Sequence, residues 1–394
     1  MKSREMMSSQ AEGQFTWLKT GRDALDRMLA AIANARESVR LEVYFFDASP
    51  ATEPCRQALI EARRRGVRVQ VLVDAGGSLT LPESYWEGLR ACGGEFRWFN
   101  PMSLHRWSIR DHRKLLVCDR TAGFIGSFNI AVEHHGDGVT GGWRELGLEV
   151  RGPMAQELAA AFDDMFAQAD FMQRLFSRRR KPVGAVGGPK AQLLLGGPGR
   201  NNPIKRALRD DLKQARQVRI MSPYFLPPWE IRRELARLAR RDGRVQLILP
   251  GKSDVPLARL AAQSFYRRLL RAGVEIHEYE PQILHAKMFL IDNIVYAGSA
   301  NLDRRSLGIN YELMARLADA GLAREAGEIF DGDLAHCRRI DQASWLKSRT
   351  FWDRFQAKLA RFILGWADPF VAQQQWRRAG LTGRRRAYLA RATK

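Results

Sequence analysis

The chain has 394 residues, enough for two ordinary domains with real cores, and its 45% apolar and 27% charged residues exclude a disordered protein. Sixty-four basic against 43 acidic residues leave a net charge of +21, an excess that draws polyanions; nucleic acid and anionic lipid both qualify. No apolar run is long enough to predict a spanning helix, and the opening MKSREMMSSQAEGQ lacks the apolar core of a signal peptide.

In chain order, the first predicted strand is ARESVRLEVYFF (35–46), preceded by a helical pattern and ending in aromatics. RRRGVRVQVLVD (63–74) follows, a basic helix end, a glycine stop and a second strand. LRACGGEFRWFNP (89–101) closes a third unit on proline. The same order then returns: ARQVRIMSPYF (215–225), RRDGRVQLILP (240–250) and LLRAGVEIHEYEP (269–281). Strands alternating with helices, stated twice, predict a duplicated α/β unit. The expected fold is therefore α/β, two similar halves each with a mostly parallel sheet flanked by helices. Their predicted extents are 1–180 and 181–340, with RRRKPVGAVGGPKAQ (178–192) as the boundary. Four cysteines (Cys55, Cys92, Cys118, Cys337) without CxxC spacing predict neither a zinc cluster nor a disulfide framework, and suit a reducing, cytoplasmic setting.

Between these strands lie the residues that carry chemistry. DHRKLLVCDRTAGFIGSFN (111–129) and HAKMFLIDNIVYAGSAN (285–301) share one pattern, offset by 173 residues from His112 to His285. On a strand, alternation puts His112 beside Lys114 and His285 beside Lys287, while Asp119 and Asp292 have the other parity and are expected to brace the following turn. Ser127 and Asn129, like Ser299 and Asn301, follow the next strand and offer a hydroxyl and an amide. Each half thus holds half a site. Two halves face to face suit a tetrahedral phosphodiester: lysines and asparagines grip the non-bridging oxygens, one histidine attacks phosphorus and the other protonates the leaving oxygen. Two ammonium groups supply the charge that other phosphoryl-transfer enzymes take from Mg²⁺, so neither metal nor cofactor is expected. Two insertions in the first copy, MSLHRWSIRD (102–111) and EHHGDGVTGGW (133–143), sit where lids and substrate grips are found.

With these motifs the chain resembles the phospholipase D superfamily, whose signature is a duplicated H-x-K-x4-D followed by G-S/G-x-N. The resemblance runs from about residue 15 to about 340 and is closest to the bacterial cardiolipin synthases, particularly the short type without N-terminal membrane helices. LEVYFF (41–46), FNP and DHRKLLVCD (99–119), FIGSFNIAVEHHG (124–136), WRELGLEVRGP (143–153) and MSPYFLPP (221–228) carry that narrower match. It implies phospholipase D-like halves packed with pseudo-two-fold symmetry around one active site. It also implies a ping-pong reaction through a phosphohistidine that joins two phosphatidylglycerols into cardiolipin and glycerol. His112 and His285 become nucleophile and acid/base, with family habit favouring His112 as the nucleophile. Lys114, Lys287, Asn129 and Asn301 become the phosphate cradle, with Ser127 and Ser299 beside it. In the family an acidic residue after each motif orients the catalytic imidazole; Glu145 and Glu312 stand in those places, Glu145 where an aspartate is commoner. A monomer at the cytoplasmic face of a bacterial inner membrane, peripherally attached, is the setting implied.

A lipid substrate demands contact with a membrane. SWLKSRTFWDRFQAKLARFILGWADPF (344–370) spaces Trp352, Phe355, Leu359, Phe362, Ile363 and Trp366 by threes and fours, with Arg354, Lys358 and Arg361 between them. That pattern predicts a basic amphipathic helix, within an extension over 341–394, suited to an anionic leaflet or to packing on the core. TGRRRAYLARATK adds charge at the tail, and FMQRLFSRRRKP (171–182) is a second candidate contact. Rival readings are hydrolysis to phosphatidic acid, phosphatidylethanolamine as donor, a nucleic-acid phosphodiesterase, and a scaffold without catalysis; two intact motifs argue against the last two.

Overall fold

The computed structural model describes residues 13–101, 108–169, 183–199 and 201–367. The first half contains β1 (Gln14–Leu18), α1 (Gly21–Asn34), β2 (Ser38–Val43), α2 (Glu53–Arg64), β3 (Arg68–Asp74), α3 (Glu87–Ala91), β4 (Glu95–Phe99), β5 (Leu115–Cys118), β6 (Ala122–Gly126), β7 (Gly147–Arg151) and α4 (Pro153–Ala167). The second contains β8 (Gly184–Gly187), β9 (Ala191–Gly196), α5 (Pro203–Gln214), β10 (Gln217–Met221), α6 (Trp229–Ala239), β11 (Arg244–Pro250), α7 (Pro256–Leu270), β12 (Glu275–Tyr279), β13 (Met288–Ile291), β14 (Ile294–Gly298), β15 (Glu312–Ala318), α8 (Ala320–Leu334) and β16 (Cys337–Arg339). Two helices follow, α9 (Gln342–Ser348) and α10 (Phe351–Phe362).

Local chemistry sets many of these boundaries. Thr20 caps α1 by accepting from Asp23 N–H at 3.0 Å, and Asn202 caps α5 through Lys205 N–H at 3.1 Å with Pro203 at the first helical position. RVQVLVD and RVQLILP are buried at every position but the first, the run of a strand covered on both faces.

The sheets run β1-β7-β6-β5-β2-β3-β4 and β16-β12-β11-β10-β13-β14-β15-β9-β8. The two α/β halves are there as expected, and the common order β6-β5-β2-β3-β4 recurs as β14-β13-β10-β11-β12. Among the described strands, parallel pairing is confined to β2, β3, β4 and to β10, β11, β12, where helices make the return crossing. Each sheet is therefore mixed rather than mostly parallel. The reason is connection length: Asp119 to Thr121 and Asp292 to Asn293 are too short for a crossover, so β5-β6 and β13-β14 close as antiparallel hairpins. Asp119 and Asp292 take left-handed φ values of 51° and 48° in those turns, a conformation aspartate tolerates.

Two buried apolar clusters belong to one half each, around Val69, Leu59 and Phe124 in the first and Leu247, Leu208 and Phe289 in the second. A third runs through both, taking in Val117, Leu148, Phe162 and, from the second half, Leu193, Val295 and Phe330. Polar backbone crosses the same seam. Asp111 bridges Tyr311, and Arg144 bridges Leu284, so the residue before each motif histidine pairs with the residue before the other half's glutamate. His112 N–H donates to Tyr311 O at 2.9 Å, and His285 N–H to Arg144 O at 2.9 Å.

Candidate active site

The two seam bridges decide where the motif residues lie. His112 to Lys114 and His285 to Lys287 do not belong to strands; they are short extended segments ahead of β5 and β13. Their backbone is engaged across the seam instead of in a ladder, which is why the strands begin three residues after each histidine. Alternation still holds, and each lysine comes back beneath its histidine: Lys114 Nζ donates to His112 O at 2.7 Å and Lys287 Nζ to His285 O at 2.6 Å.

The glutamates work crosswise. His112 Nδ1 lies 3.0 and 3.1 Å from the two carboxyl oxygens of Glu312, and His285 Nδ1 lies 2.7 Å from Glu145 Oε1. Each carboxylate thus serves the imidazole of the other half. Both glutamates are wholly buried, whereas His112 and His285 keep 8% and 5% of their surface exposed. A carboxylate holding the Nδ1 proton leaves the Nε2 lone pair free, the tautomer a nucleophile requires. Ser127 and Ser299, expected beside the phosphate, have protein partners for their hydroxyls. Their hydroxyls donate to Glu145 and to Glu312 (2.5 Å for Ser299), and they fix the carboxylates rather than substrate. Small side chains were needed there because β6 and β14 end against the segments carrying the glutamates.

Asp119 and Asp292 brace the fold. Asp119 accepts from the backbone N–H of Arg36, Glu37 and Ser38 at 2.8–2.9 Å, and Asp292 from Arg216 and Gln217 at 2.8–3.3 Å. Each ties the hairpin turn to the start of the central strand beside it, so neither touches the pocket. Asn129 Oδ1 accepts from Phe45 N–H at 3.3 Å, while its amide nitrogen lies 3.1 Å from His134 Nε2. Asn301 Oδ1 is buried without a protein partner among the described residues.

Electrostatics follow from burial. Lys114 is pushed down to about 7 and Lys287 to about 8, burial being the main cause, with Glu312 the chief opposition for Lys114 and Glu145 for Lys287. Burial, reinforced by the lysines, holds His112 well below its ordinary value, and His285 is likewise lowered. The glutamates diverge. Burial lifts Glu312 to about 7, whereas at Glu145 burial is outweighed by His285 and His134, which pull it well below the carboxylate range. Lys114 and Lys287 each feel the charges of both Glu145 and Glu312, and Lys114 that of Lys287 as well, so groups from the two halves lie close together.

Four site residues escaped the sequence reading. His134 donates from Nδ1 to Glu145 Oε1, so two imidazoles share one carboxylate oxygen. The 172-residue offset relating Ser127 to Ser299 places Ser306 opposite His134, and Ser306 also hydrogen bonds Glu312. Aligning the copies beyond Asn129 would have exposed that pair. Trp143 packs its ring 5.3 Å from His285 and 4.8 Å from His134, and Tyr44 lies edge-on to His112 at 4.9 Å with Lys114 Nζ 5.1 Å over its ring. The insertion 133–143 is held against the second half, where Tyr279 Oη donates to Gly138 O at 2.7 Å. Gly142 turns at φ +68° with its would-be Cβ 2.8 Å from Gly136 Cα, so only glycine closes that loop. Of the other insertion, residues 102–107 lie outside the described set.

His134, Glu145 and His285 also offer three ligand atoms within 4.8 Å of one another. The hydrogen bonds already join those atoms, and a cation between them would have to displace both Nδ1 protons. The donor set therefore suits a proton network better than a metal.

A family model described as cardiolipin synthase, PLD-like domain, matches residues 28–168 and 208–334. Cardiolipin synthase A of Cronobacter sakazakii is 29% identical over 365 residues, covering 89% of this chain and 75% of that one. Cardiolipin synthase 1 of Staphylococcus aureus (strain COL) is 31% identical over 353 residues, 87% of this chain and 71% of that one. The crystal structure of a phosphatidylserine synthase from Haemophilus influenzae Rd KW20 matches with a TM-score of 0.71 over 94% of this chain and 99% of the other; at 15% identity that likeness is one of fold.

Proposed function

Because the chain belongs to the cardiolipin synthase family of phospholipase D-like enzymes, we propose that it joins two phosphatidylglycerols by phosphatidyl transfer through a phosphohistidine. The observation that carries this reading is the pair of crossed histidine–glutamate contacts around two buried lysines.

In the first step Nε2 of one histidine forms a bond to phosphorus as the bond to the headgroup glycerol oxygen breaks. The other histidine, which takes up a second proton at Nε2 when the anionic phosphodiester enters the pocket and offsets the burial that disfavours that charge, gives that proton to the departing glycerol. In the second step the same histidine takes the proton from a hydroxyl of the second phosphatidylglycerol. That oxygen attacks phosphorus, the P–N bond breaks, and cardiolipin leaves. Family habit favours His112 as the nucleophile. Lys114, Lys287 and the two asparagine amides stabilise charge on the non-bridging oxygens in both transition states. Purified protein incubated with phosphatidylglycerol, with no metal added, should yield cardiolipin and glycerol by lipid mass spectrometry. Phosphatidic acid instead would make it a hydrolase, and no lipid product at all would overturn the reading.

The lysines set a pH dependence. A base whose value is lowered is charged only below that value, so rising pH strips Lys114 near 7 and Lys287 near 8 in the free enzyme. The kcat/KM profile should fall on its alkaline side between about pH 7 and 9, while kcat, read with phosphate bound, falls at higher pH. A kcat/KM flat across that range would show that the lysines keep their protons.

Membrane contact is assigned to α10. The predicted single helix is broken at Thr350, which caps α10 in a capping box with Asp353. Ala357 and Ala360 face α7, while Phe351, Trp352, Phe355, Leu359, Phe362 and Ile363 are 39–81% exposed. The aromatic stripe is thus turned away from the core, as a leaflet-facing helix requires. The Trp366 side chain, the 171–182 segment and the C-terminal tail lie outside the described set. Among the described residues no helix is long and apolar enough to cross a membrane. At its far end the segment is tied back to the second half: Arg304, three residues after Asn301, donates to Gly365 O at 2.8 Å.

A further inference from the structure

We propose that the groove between α7, α9 and α10 is a second, non-catalytic site for the phosphate of an anionic lipid headgroup. It encloses about 130 Å³, room for a phosphate group and a few waters, and is lined by Arg267, Arg349, Arg354 and Lys358. Only one carboxylate shares that wall. Asp353 is committed to the helix cap, accepting from Thr350 N–H at 2.9 Å and Thr350 Oγ1 at 2.8 Å. Arg349 is fixed in place, its guanidinium 4.0 Å over the Trp345 ring and donating to Gln263 Oε1 at 2.5 Å. Arg267 and Lys358 make no ion pair among the described residues, so a guanidinium and an ammonium line a groove whose one carboxylate is already engaged by the helix cap.

Position selects the occupant. Lys358 and Arg354 lie on the flank of α10 between its buried alanines and its exposed aromatic face, at the height of the headgroups when Phe355 and Leu359 enter a leaflet. A phosphate held there would be one still attached to its lipid. The inference rests on the membrane-facing reading of α10 and extends it. The aromatics give adhesion to any bilayer, and the groove makes adhesion selective for anionic lipid.

The test uses the full chain with phosphatidylcholine vesicles, with and without 30 mol% phosphatidylglycerol (about one lipid in three, enough for anionic attraction). Arg267→Gln with Lys358→Gln should weaken binding to the anionic vesicles by roughly twenty-five-fold, each lost charge contributing about fivefold. Binding to pure phosphatidylcholine should be unchanged. Phe355→Ala with Leu359→Ala should lower binding to both. Undiminished binding of the arginine–lysine variant to anionic vesicles would overturn the proposal. So would protection of Trp345 fluorescence from quenching by millimolar glycerol 3-phosphate without vesicles, which would make the groove a site for soluble phosphate. Turnover of dispersed short-chain phosphatidylglycerol should be the same in wild type and variant. Its loss from wild type would sink the proposed reaction and leave the groove's binding result standing.

Discussion

His112→Gln and His285→Gln should each lower phosphatidyl transfer by at least about 10⁴-fold, and the double variant should be no slower than the worse single one. Glutamine carries its amide at the ε position, near the ring's Nε2, so the pocket keeps a polar group of similar reach while the Nδ1 contacts to Glu312 and Glu145 lose their donor; an unchanged circular dichroism spectrum shows that the fold is kept. What it lacks is a basic imidazole nitrogen, because an amide nitrogen neither bonds to phosphorus nor carries the proton. Neither half can substitute for the other, because each supplies one imidazole to a single pocket. A phosphatidyl ester of p-nitrophenol separates the roles, since that leaving group needs no proton. With His112 as nucleophile, His285→Gln should release one burst of p-nitrophenol per enzyme and His112→Gln none. The reverse pattern would exchange the roles, and near-normal turnover by either variant would refute a shared site.

The residues of this pocket were visible in the sequence because chemistry of this kind needs rare side chains at fixed spacing, and the duplication stated that spacing twice. Asp119 and Asp292 were also legible, since parity alone turned them from the face shared by histidine and lysine. What the sequence could not show was which half each glutamate serves. That follows from the bridges Asp111–Tyr311 and Arg144–Leu284, which are contacts between segments 200 and 140 residues apart and leave no periodic trace. The serines misled for a related reason: a small polar residue after a strand looks the same whether it faces a ligand or a carboxylate. His134 was hidden because its counterpart at the same offset is Ser306, so the duplication did not repeat its side chain. In the sheets, helical crossovers were conspicuous and drew attention to the parallel strands, while the short turns after Cys118 and Ile291 set most of the pairing. The C-terminal stripe was legible as a pattern, but a pattern does not say which way it faces; Ala357 and Ala360, too small to register as a stripe, decide it.

The crossed geometry makes its own prediction for the glutamates. Glu145→Gln and Glu312→Gln should each lower turnover by about 10²- to 10³-fold, less than loss of a histidine, because the imidazole stays while its tautomer and orientation are no longer enforced. The phenotype should cross the seam. With His112 as nucleophile, Glu312→Gln weakens the attacking ring, so the p-nitrophenol burst slows. Glu145→Gln weakens the acid–base ring instead, so the burst keeps its rate and the transfer to the second lipid slows. Double variants sharpen the test. His112→Gln/Glu312→Gln should be no slower than His112→Gln alone, since a carboxylate that acts through an imidazole has nothing left to act on. His134→Ser gives a milder version of the Glu145 result: it returns the first half to the pattern of Ser306 and removes the imidazole that shares Oε1, altering the second step and sparing the burst. A slowed burst in Glu145→Gln with a normal one in Glu312→Gln, in a protein where His112 is shown to attack, would mean that each glutamate serves its own half, and the crossed arrangement would be wrong.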